Sequence, residues 1–249
     1  MVESLSTFSG SIESVAALLE LLAKIGTDRV PNAHVRFWFR GQAKHGWPLT
    51  PKVYRAFPQD KARLGIERRM NQEFRMMSAQ LRKGGESDAR IYFLQQHYGM
   101  PTRLLDWTTS PLAALYFATT HDREHDASDA ELFMLDTQAL KGIASSRRKE
   151  FLEALAGITS WAKEKHADML LPVRPDHFDR RIGLQRSGFT FHGPKNKELT
   201  AAHSITIPHA AKEKIRRQLS VAGIDHFSVF GDLDHLSQHL VEAYSSTRR

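Results

Sequence analysis

One segment constrains the fold of this chain more than any other: residues 97 to 118, which read H-Y-G-M-P-T-R-L-L-D-W-T-T-S-P-L-A-A-L-Y-F-A. Gly99 and Pro101 end the helix before it, because proline cannot continue a helix. Ser110 before Pro111 starts the next helix, since a hydroxyl caps free amides and proline suits the first helical position. The many polar side chains between these two helix ends predict a folded connection that carries a site.

Hydrophobic periodicity predicts short strands scattered among longer helices. The predicted helices are 11–25 with Ser11 as cap, 66–81, 88–98, 111–118, 145–167, 175–185, 210–222 and 233–244, and the predicted strands are 34–41, 131–136, 169–173, 189–192 and 204–207. Residues 42–60, rich in proline, are predicted to be an ordered loop. The core side of the helix at 66–81 is predicted to consist of Ile66, Met70, Phe74, Met77 and Leu81. This pattern favours an α+β fold with a small mixed or antiparallel sheet surrounded by helices.

Length and composition favour one soluble domain. A chain of 249 residues with 41% apolar residues is long enough for one sizeable core. We expect one domain over 1–249, with an N-terminal helix in 1–30, a core in 34–207 and C-terminal helices in 208–249. No apolar run approaches the roughly 20 residues that a membrane span needs. The lack of cysteine excludes disulfides and fits a bacterial cytoplasm. Two histidine pairs lack a third ligand, so no metal site is predicted: His121 with His125, and His235 with His239.

The net charge of +7 is concentrated in one stretch. Residues 141–220 hold 16 Lys and Arg against 8 Asp and Glu, whereas the remainder holds 19 against 20. This surplus is either a solvated face or an attraction for a phosphate-rich partner such as nucleic acid. No named nucleic-acid-binding motif favours the second interpretation.

The sequence H-V-R-F-W-F-R-G at 34–41 alternates like a strand, which places Arg36, Trp38 and Arg40 on one face. That face is either exposed, with the arginines covering the indole, or a site for an anion and a ring. A guanidinium pairs with phosphate and an indole offers a stacking surface. Gly41 lets a ligand or another backbone approach closely.

Within the segment 97–118, two residues allow more than one interpretation. Ser110 is a helix cap, or it joins the helix amides in binding an anion; W-T-T-S-P is not the G-x-S-x-G elbow of a hydrolase nucleophile. His97 is either a charged histidine at a helix C-terminus or a general base oriented by Asp106. Neither of the usual phosphate-binding glycine motifs is present in the sequence.

Four motifs together carry a resemblance to a known family. They are F-R-G at 39–41, the segment 97–118, R-I-G-L-Q-R-S-G-F-T-F at 181–191, and G-I-D-H-F-S-V-F-G-D-L-D-H-L at 223–236. They resemble the FRG domain, named after its Phe/Tyr-Arg-Gly tripeptide, over nearly the whole chain. The resemblance implies a bacterial, phage-associated setting.

The order of the motifs also resembles that of ADP-ribosyltransferases of the Arg-Ser-Glu class, and this implies a similar fold with NAD as cofactor. Arg40 would hold the NAD phosphate and Ser110 would support the nicotinamide ribose. The third position, a glutamate in that class, falls on Gln185, with Glu198 just beyond. An amide stabilises an oxocarbenium ion less than a carboxylate does. The other expected cofactor contacts are Gly41, His97, Tyr98, Thr102, Arg103, Asp106, Trp107, Thr109 and Tyr116, of which Tyr98, Trp107 or Tyr116 would stack on nicotinamide.

These resemblances imply an NAD-dependent ADP-ribosyltransferase that acts as a toxin or anti-phage effector. Its acceptor would be nucleic acid, brought in by the basic stretch 141–220, or protein, and a protein antitoxin would neutralise it. The alternative is a non-catalytic module that uses the same arginine and aromatic residues only to bind nucleotide, nucleic acid or protein.

Overall fold

The computed structural model describes residues 9–120, 125–140, 146–160, 162, 167–175, 180–195 and 198–245. The strands in these residues are β1 (Ser9–Ser11), β2 (Phe37–Gln42), β3 (Leu104–Thr108), β4 (Ala130–Asp136), β5 (Leu170–Val173), β6 (Ser187–His192) and β7 (His203–Ile207). They form one seven-stranded sheet in the order β1-β7-β4-β2-β3-β6-β5. β1 and β7 are parallel, and the other neighbours are antiparallel. The predicted α+β fold with a small mixed sheet is confirmed.

Helices pack against one face of this sheet, and the side chains on the other face pack against Leu49, Leu140 and Leu199, which lie outside the α-helices. The α-helices are α1 (Val15–Ile25), α2 (Ala33–Arg36), α3 (Lys52–Ala56), α4 (Asp60–Met77), α5 (Asp88–His97), α6 (Pro111–Thr119), α7 (Ser146–Thr159), α8 (Arg180–Leu184), α9 (His209–Val221), α10 (His226–Phe230) and α11 (Leu233–Ser245), with 3-10 turns at Thr27–Arg29, Ala79–Leu81 and Thr137–Leu140. Among the described residues, no helix is both long and apolar enough to cross a membrane.

The sheet consists of two arms that meet at a single residue pair. β2 pairs with β4 along its whole length, and β3 pairs with β6 in the same way. β2 and β3, in contrast, pair only between Phe39 and Thr108. One arm packs against α1, α6 and α9, and the other packs against α5 and α7. This junction between the arms positions the site described below.

The start of β2 differs from the prediction of a strand over 34–41. Residues Ala33–Arg36 form α2, and the strand begins only at Phe37. The Arg36 guanidinium binds the Asp136 carboxylate through Nε at 2.9 and 3.0 Å. Trp38 is fully buried, so the interpretation of this face as exposed is wrong for Trp38. Its ring lies against Gly188, where a Cβ would be 3.0 Å from the indole.

Several predicted boundaries are wrong. The connection between α5 and α6 contains β3, a strand in the middle of the sheet, and the predicted loop 42–60 contains α3. α1 is capped by Ser14 and not by Ser11, which belongs to β1. α7 ends at Thr159, and residues 161, 163–166 and 176–179 of two predicted helices lie outside the described residues. The predicted subdivision of the domain stays a prediction.

α4 turns a polar side toward the protein interior, which the sequence did not predict, and leaves the predicted core residues Ile66, Met70 and Phe74 half-buried. Arg63, Glu67 and Asn71, spaced four residues apart, are at most 3% exposed. Met77 is 78% exposed, and Leu81, beyond the end of α4, is 88% exposed. The prediction that these two residues belong to the core is therefore wrong. The physical reason is that the polar side chains bind buried partners. Glu67, for example, forms an ion pair with Arg103.

Candidate functional site

A cavity of about 900 Å³ opens where the two arms of the sheet meet. Its walls come from β2, β3, α3, the C-terminal end of α5 and the turn that joins α8 to β6. Cavities of 300 to 1,000 Å³ are typical of sites for small molecules and cofactors. The size of this cavity suits a nucleotide or a dinucleotide.

The tripeptide Phe39-Arg40-Gly41 serves three different purposes in β2. The Phe39 side chain is buried in the core beneath α6, and the Arg40 side chain lines the cavity. A Cβ on Gly41 would stand 1.9 Å from the carbonyl oxygen of Ala114 in α6. Glycine is therefore required here because the backbone of α6 approaches, which is one of the two expected reasons.

Arg40 is only partly satisfied by its protein neighbours. One terminal nitrogen donates to the carbonyl oxygen of Asp106 at 2.9 Å and lies 3.8 Å from that residue's carboxylate. Burial lowers the pKa of Arg40, the carboxylate of Asp106 opposes this shift, and the positive charge of Arg55 adds to it. Two guanidinium groups close enough to repel each other would be stabilised by an anion bound between them.

Within the described part of the chain, three buried polar atoms of cavity-lining residues have no hydrogen-bond partner. They are the Nε of Arg40, the amide nitrogen of Gln185 and the amide oxygen of Gln42. Buried polar groups in proteins are nearly always hydrogen-bonded, and an unpaired group costs about 1 to 3 kcal/mol. Three such atoms around one cavity are the pattern expected of groups that bind a polar ligand after small side-chain rotations.

Asp106 is held in place by the end of α5. The Gln96 side chain donates to the Asp106 carboxylate at 2.9 Å, and the Gln96 amide oxygen accepts from Thr102. Asp106 is also the only carboxylate among the described residues that line the cavity, whereas Arg40, Lys52, Arg55 and Arg181 line it as cations. The cavity therefore attracts an anion.

The predicted site residues divide into two groups. Seven of them line the cavity: Arg40, Gly41, His97, Tyr98, Asp106, Trp107 and Gln185. Of the remaining five, Ser110 caps α6 by accepting from the amide of Ala113 at 3.3 Å, and Arg103 pairs with Glu67. Thr102 and Thr109 are buried next to β3. Tyr116 shares a hydrogen bond of 2.6 Å with Nδ1 of His226. The roles proposed for all of these residues in binding and catalysis stay predictions.

The lining residues that were not predicted from the sequence include four that are used below: Lys52, Arg55, Gln96 and Arg181. Lys52 and Arg55 lie on α3, a helix of five residues inside a segment predicted to be a loop. Gln96 directly precedes the predicted segment 97–118. Arg181 belongs to the run at 181–191 and stands 4.7 Å from the Phe230 ring of the tail motif. That contact brings the tail motif to the edge of the cavity.

Some cations in the described part of the basic stretch 141–220 are bound within the protein. Lys212 is 1% exposed and donates to the carbonyl oxygens of Ala43 and His125 at 2.9 Å. Arg216 binds Asp126 at 2.8 Å, and Glu213 lies within 3.6 Å of Arg217. The role of this stretch in binding nucleic acid stays a prediction.

Comparison with known proteins supports the first resemblance over part of the chain. Residues 35–127 match the family model of the FRG domain. No curated protein and no solved structure matches the chain. The matched range contains the F-R-G tripeptide and the whole segment 97–118, and the runs at 181–191 and 223–236 lie beyond it. The chain therefore carries an FRG domain over residues 35–127, which confirms the resemblance within that range.

Proposed function

We propose that the cavity binds NAD and that the protein transfers ADP-ribose from NAD to an acceptor. The observation that carries this proposal is the composition of the cavity: four cationic side chains and three unpaired polar atoms surround a single carboxylate. A dinucleotide offers what this lining complements, namely a pyrophosphate for the cations and rings for the aromatic side chains.

In this proposal, Arg40 and Arg55 hold the pyrophosphate, and the anion offsets the mutual repulsion of the two guanidinium groups. Trp47 and Tyr98, which line the cavity and are 40% and 71% exposed, present rings on which nicotinamide or adenine stacks. Gln185 hydrogen-bonds the ribose hydroxyls through the amide that lacks a partner in the protein.

The reaction breaks the bond between C1′ of the ribose and the nicotinamide nitrogen. The bonding electrons leave with nicotinamide, which becomes neutral, and the ribose carries the positive charge as an oxocarbenium ion. The Asp106 carboxylate stabilises that charge, with Gln185 in the position of the glutamate of the Arg-Ser-Glu class. A nucleophile of the acceptor then bonds to C1′ and releases its proton to water. Such a step needs electrostatic stabilisation and exclusion of water more than a strong base.

Calorimetric titration of NAD and transfer of labelled ADP-ribose test this proposal separately. Arg40→Ala is expected to weaken NAD binding by about 10- to 100-fold, the value of one or two charge-assisted hydrogen bonds. Asp106→Asn keeps an acceptor for Gln96 and is expected to retain binding but lose transfer. Arg217→Ala, an exposed arginine outside the cavity, is the matched control and is expected to change neither. Absence of NAD binding at millimolar concentration would overturn the proposal.

A second candidate is a nucleotide-binding module without catalysis. It is favoured by one observation: no glutamate is found among the described residues that line the cavity. NAD binding that depends on Arg40, without transfer to RNA, DNA or protein, would support this candidate over the enzyme.

The biological role that accompanies the enzyme is that of a bacterial toxin or anti-phage effector in the cytoplasm. Its acceptor would be nucleic acid or protein, and a neutralising protein partner would hold it inactive. The support comes from the resemblances in sequence. Expression in bacteria tests this role: the wild-type chain is expected to stop growth, and Arg40→Ala is expected to restore it.

A further inference from the structure

One side of α4 carries a row of apolar side chains that the protein covers only in part: Ile66, Met70 and Phe74 are half-buried and Met77 is 78% exposed. Ile66, Met70, Phe74 and Met77, which we call the α4 stripe, recur at helical spacing. The stripe borders a shallow groove of about 500 Å³ whose lining includes Met100. A contiguous apolar patch that stays partly exposed on a helix is one of the features of an interaction surface.

The orientation of α4 is fixed by its polar side, so the exposure of the stripe is not a matter of loose packing. Glu67 binds Arg103 at 2.8 Å and Tyr92 at 2.9 Å, and Asn71 accepts from the Gln95 side chain at 2.9 Å. Rotating α4 to bury the stripe would break these buried bonds. Its adjacent polar flank is also occupied, since Arg68 donates to the carbonyl oxygens of Gly157 and Ala162 at 2.6 and 2.8 Å.

The charges beside the stripe favour a second copy of this chain as its binding partner. Arg69 and Glu73 line the same groove, are both exposed, and follow each other by one helical turn along one flank of the stripe. Among the described residues, Arg69 makes only a long hydrogen bond of 3.4 Å, to the Gly65 carbonyl oxygen. In two antiparallel copies of α4 related by a two-fold axis near Asn71, Arg69 of each copy faces Glu73 of the other. The same flank meets itself in such a pair, as an isologous interface requires.

We propose that two copies of this chain associate through the α4 stripe in antiparallel orientation. The apolar side chains supply the contact area and the two reciprocal Arg69–Glu73 pairs fix the register. An 18-residue helix is about 27 Å long. One helix face is smaller than the roughly 800 Å² per partner of a standard interface, so the dimer is expected to dissociate in the micromolar range. This inference does not depend on NAD binding.

Sedimentation of the full chain from about 1 to 200 µM tests the proposal. The wild type is expected to shift from monomer to dimer over this range, and Phe74→Asp is expected to stay monomeric. Val221→Asp, on an apolar residue of α9 that is 92% exposed, is the matched control and is expected to dimerise like the wild type. A wild type that remains monomeric at 200 µM would overturn the proposal, as would a dimer that Phe74→Asp leaves intact.

A charge exchange tests the antiparallel register. Arg69→Glu turns both reciprocal pairs into repulsions and is expected to raise the dissociation constant by about 10-fold or more. Adding Glu73→Arg to the same chain recreates both pairs with reversed sign, and the double variant is expected to return to within about 3-fold of the wild type. Failure of the second substitution to restore association would overturn the antiparallel arrangement. Circular dichroism of each variant confirms that the fold is retained.

Discussion

Two arginines of the FRG domain have contrasting surroundings. Arg40 lies in β2, and Arg103 directly precedes β3, the neighbouring strand. Arg103 is 2% exposed, and its Nε donates to the Glu67 carboxylate at 2.8 Å. Its backbone amide donates to the hydroxyl of Tyr92, which in turn donates to Glu67. Arg40 has one hydrogen bond to a backbone oxygen, a carboxylate at 3.8 Å, and an Nε without a partner.

This difference separates an arginine that holds the fold from one that is available to a ligand. The charge of Arg103 is paired with the buried Glu67 carboxylate of α4. The charge of Arg40 is desolvated and repelled by Arg55, so its surroundings favour an anion that the protein does not supply. The sequence predicts both residues as cofactor contacts, Arg40 from its match to the phosphate-binding arginine of the Arg-Ser-Glu class and Arg103 from its place in the polar segment 97–118. The following predictions test the comparison in order of decreasing effect on the free energy of unfolding.

Arg103→Ala is expected to have the largest effect. It removes the Arg103 guanidinium from the buried Glu67 carboxylate, and breaking a buried ion pair costs about 3 to 5 kcal/mol of unfolding free energy. Urea denaturation at pH 7 measures the loss. Arg75→Ala, which removes the more exposed pair with Asp88, is the matched control and is expected to cost less than about 1 kcal/mol. Equal losses in the two variants would contradict the structural role of Arg103.

Tyr92→Phe probes the same buried network through its pH dependence. Burial, together with the negative charge of Glu67, raises the pKa of Tyr92 well above its usual value. The folded state therefore keeps this proton while the unfolded chain begins to lose it near pH 10, so stability should fall as pH rises above about 10.

At pH 7, Tyr92→Phe is expected to cost about 1 to 2 kcal/mol, because two hydrogen bonds to the Tyr92 hydroxyl are lost. Above pH 10, its stability is expected to fall less steeply with pH than that of the wild type. Urea denaturation between pH 7 and 11 measures both effects. Tyr98→Phe, at an exposed tyrosine, is the control. If the unfolding free energy of Tyr92→Phe falls with pH as steeply as that of the wild type, the raised pKa of Tyr92 is not the cause of the fall.

Ser110→Ala distinguishes a helix cap from a ligand contact. Ser110 and Ser87 cap α6 and α5 in the same way, each accepting from a backbone amide at 3.3 Å. Both alanine variants are expected to lose about 1 kcal/mol of unfolding free energy. Because Ser110 is a cap, we expect both variants to retain NAD binding in calorimetry. Loss of binding in Ser110→Ala but not in Ser87→Ala would instead support the ribose contact implied by the resemblance.

The helix starts and strands that depend on residues close to one another in the sequence were predicted correctly. Ser87, Ser110 and Pro111 set the starts of α5 and α6 as expected, and Gly99 adopts a φ of 80° just after α5. β4, β6 and β7 were predicted to within two residues, because their buried side chains or alternation leave a clear pattern.

Elements that depend on distant partners were not predictable in this way. β3 was missed because Leu104 faces one core cluster, Leu105 and Trp107 face another, and Asp106 faces the cavity. The prediction for α4 missed its buried polar side because an apolar face is normally the buried one, and the partners of Glu67 lie 25 and 36 residues away. For the site, Arg40 was identified from its motif, whereas Lys52 and Arg55 depend on how α3 folds against the cavity.

Arg40→Ala is expected to have the smallest effect on stability and thus completes the comparison. The substitution removes one hydrogen bond, but it also removes a desolvated charge and its repulsion with Arg55, so unfolding free energy should change by less than about 1 kcal/mol. At 100 times its dissociation constant, NAD should stabilise the wild type by about 2.7 kcal/mol. The same NAD concentration should stabilise Arg40→Ala far less, as measured by urea denaturation with and without ligand. A loss of several kcal/mol in the absence of NAD would mean that Arg40, like Arg103, serves mainly to hold the fold, because a side chain kept for a ligand contributes little until the ligand is bound.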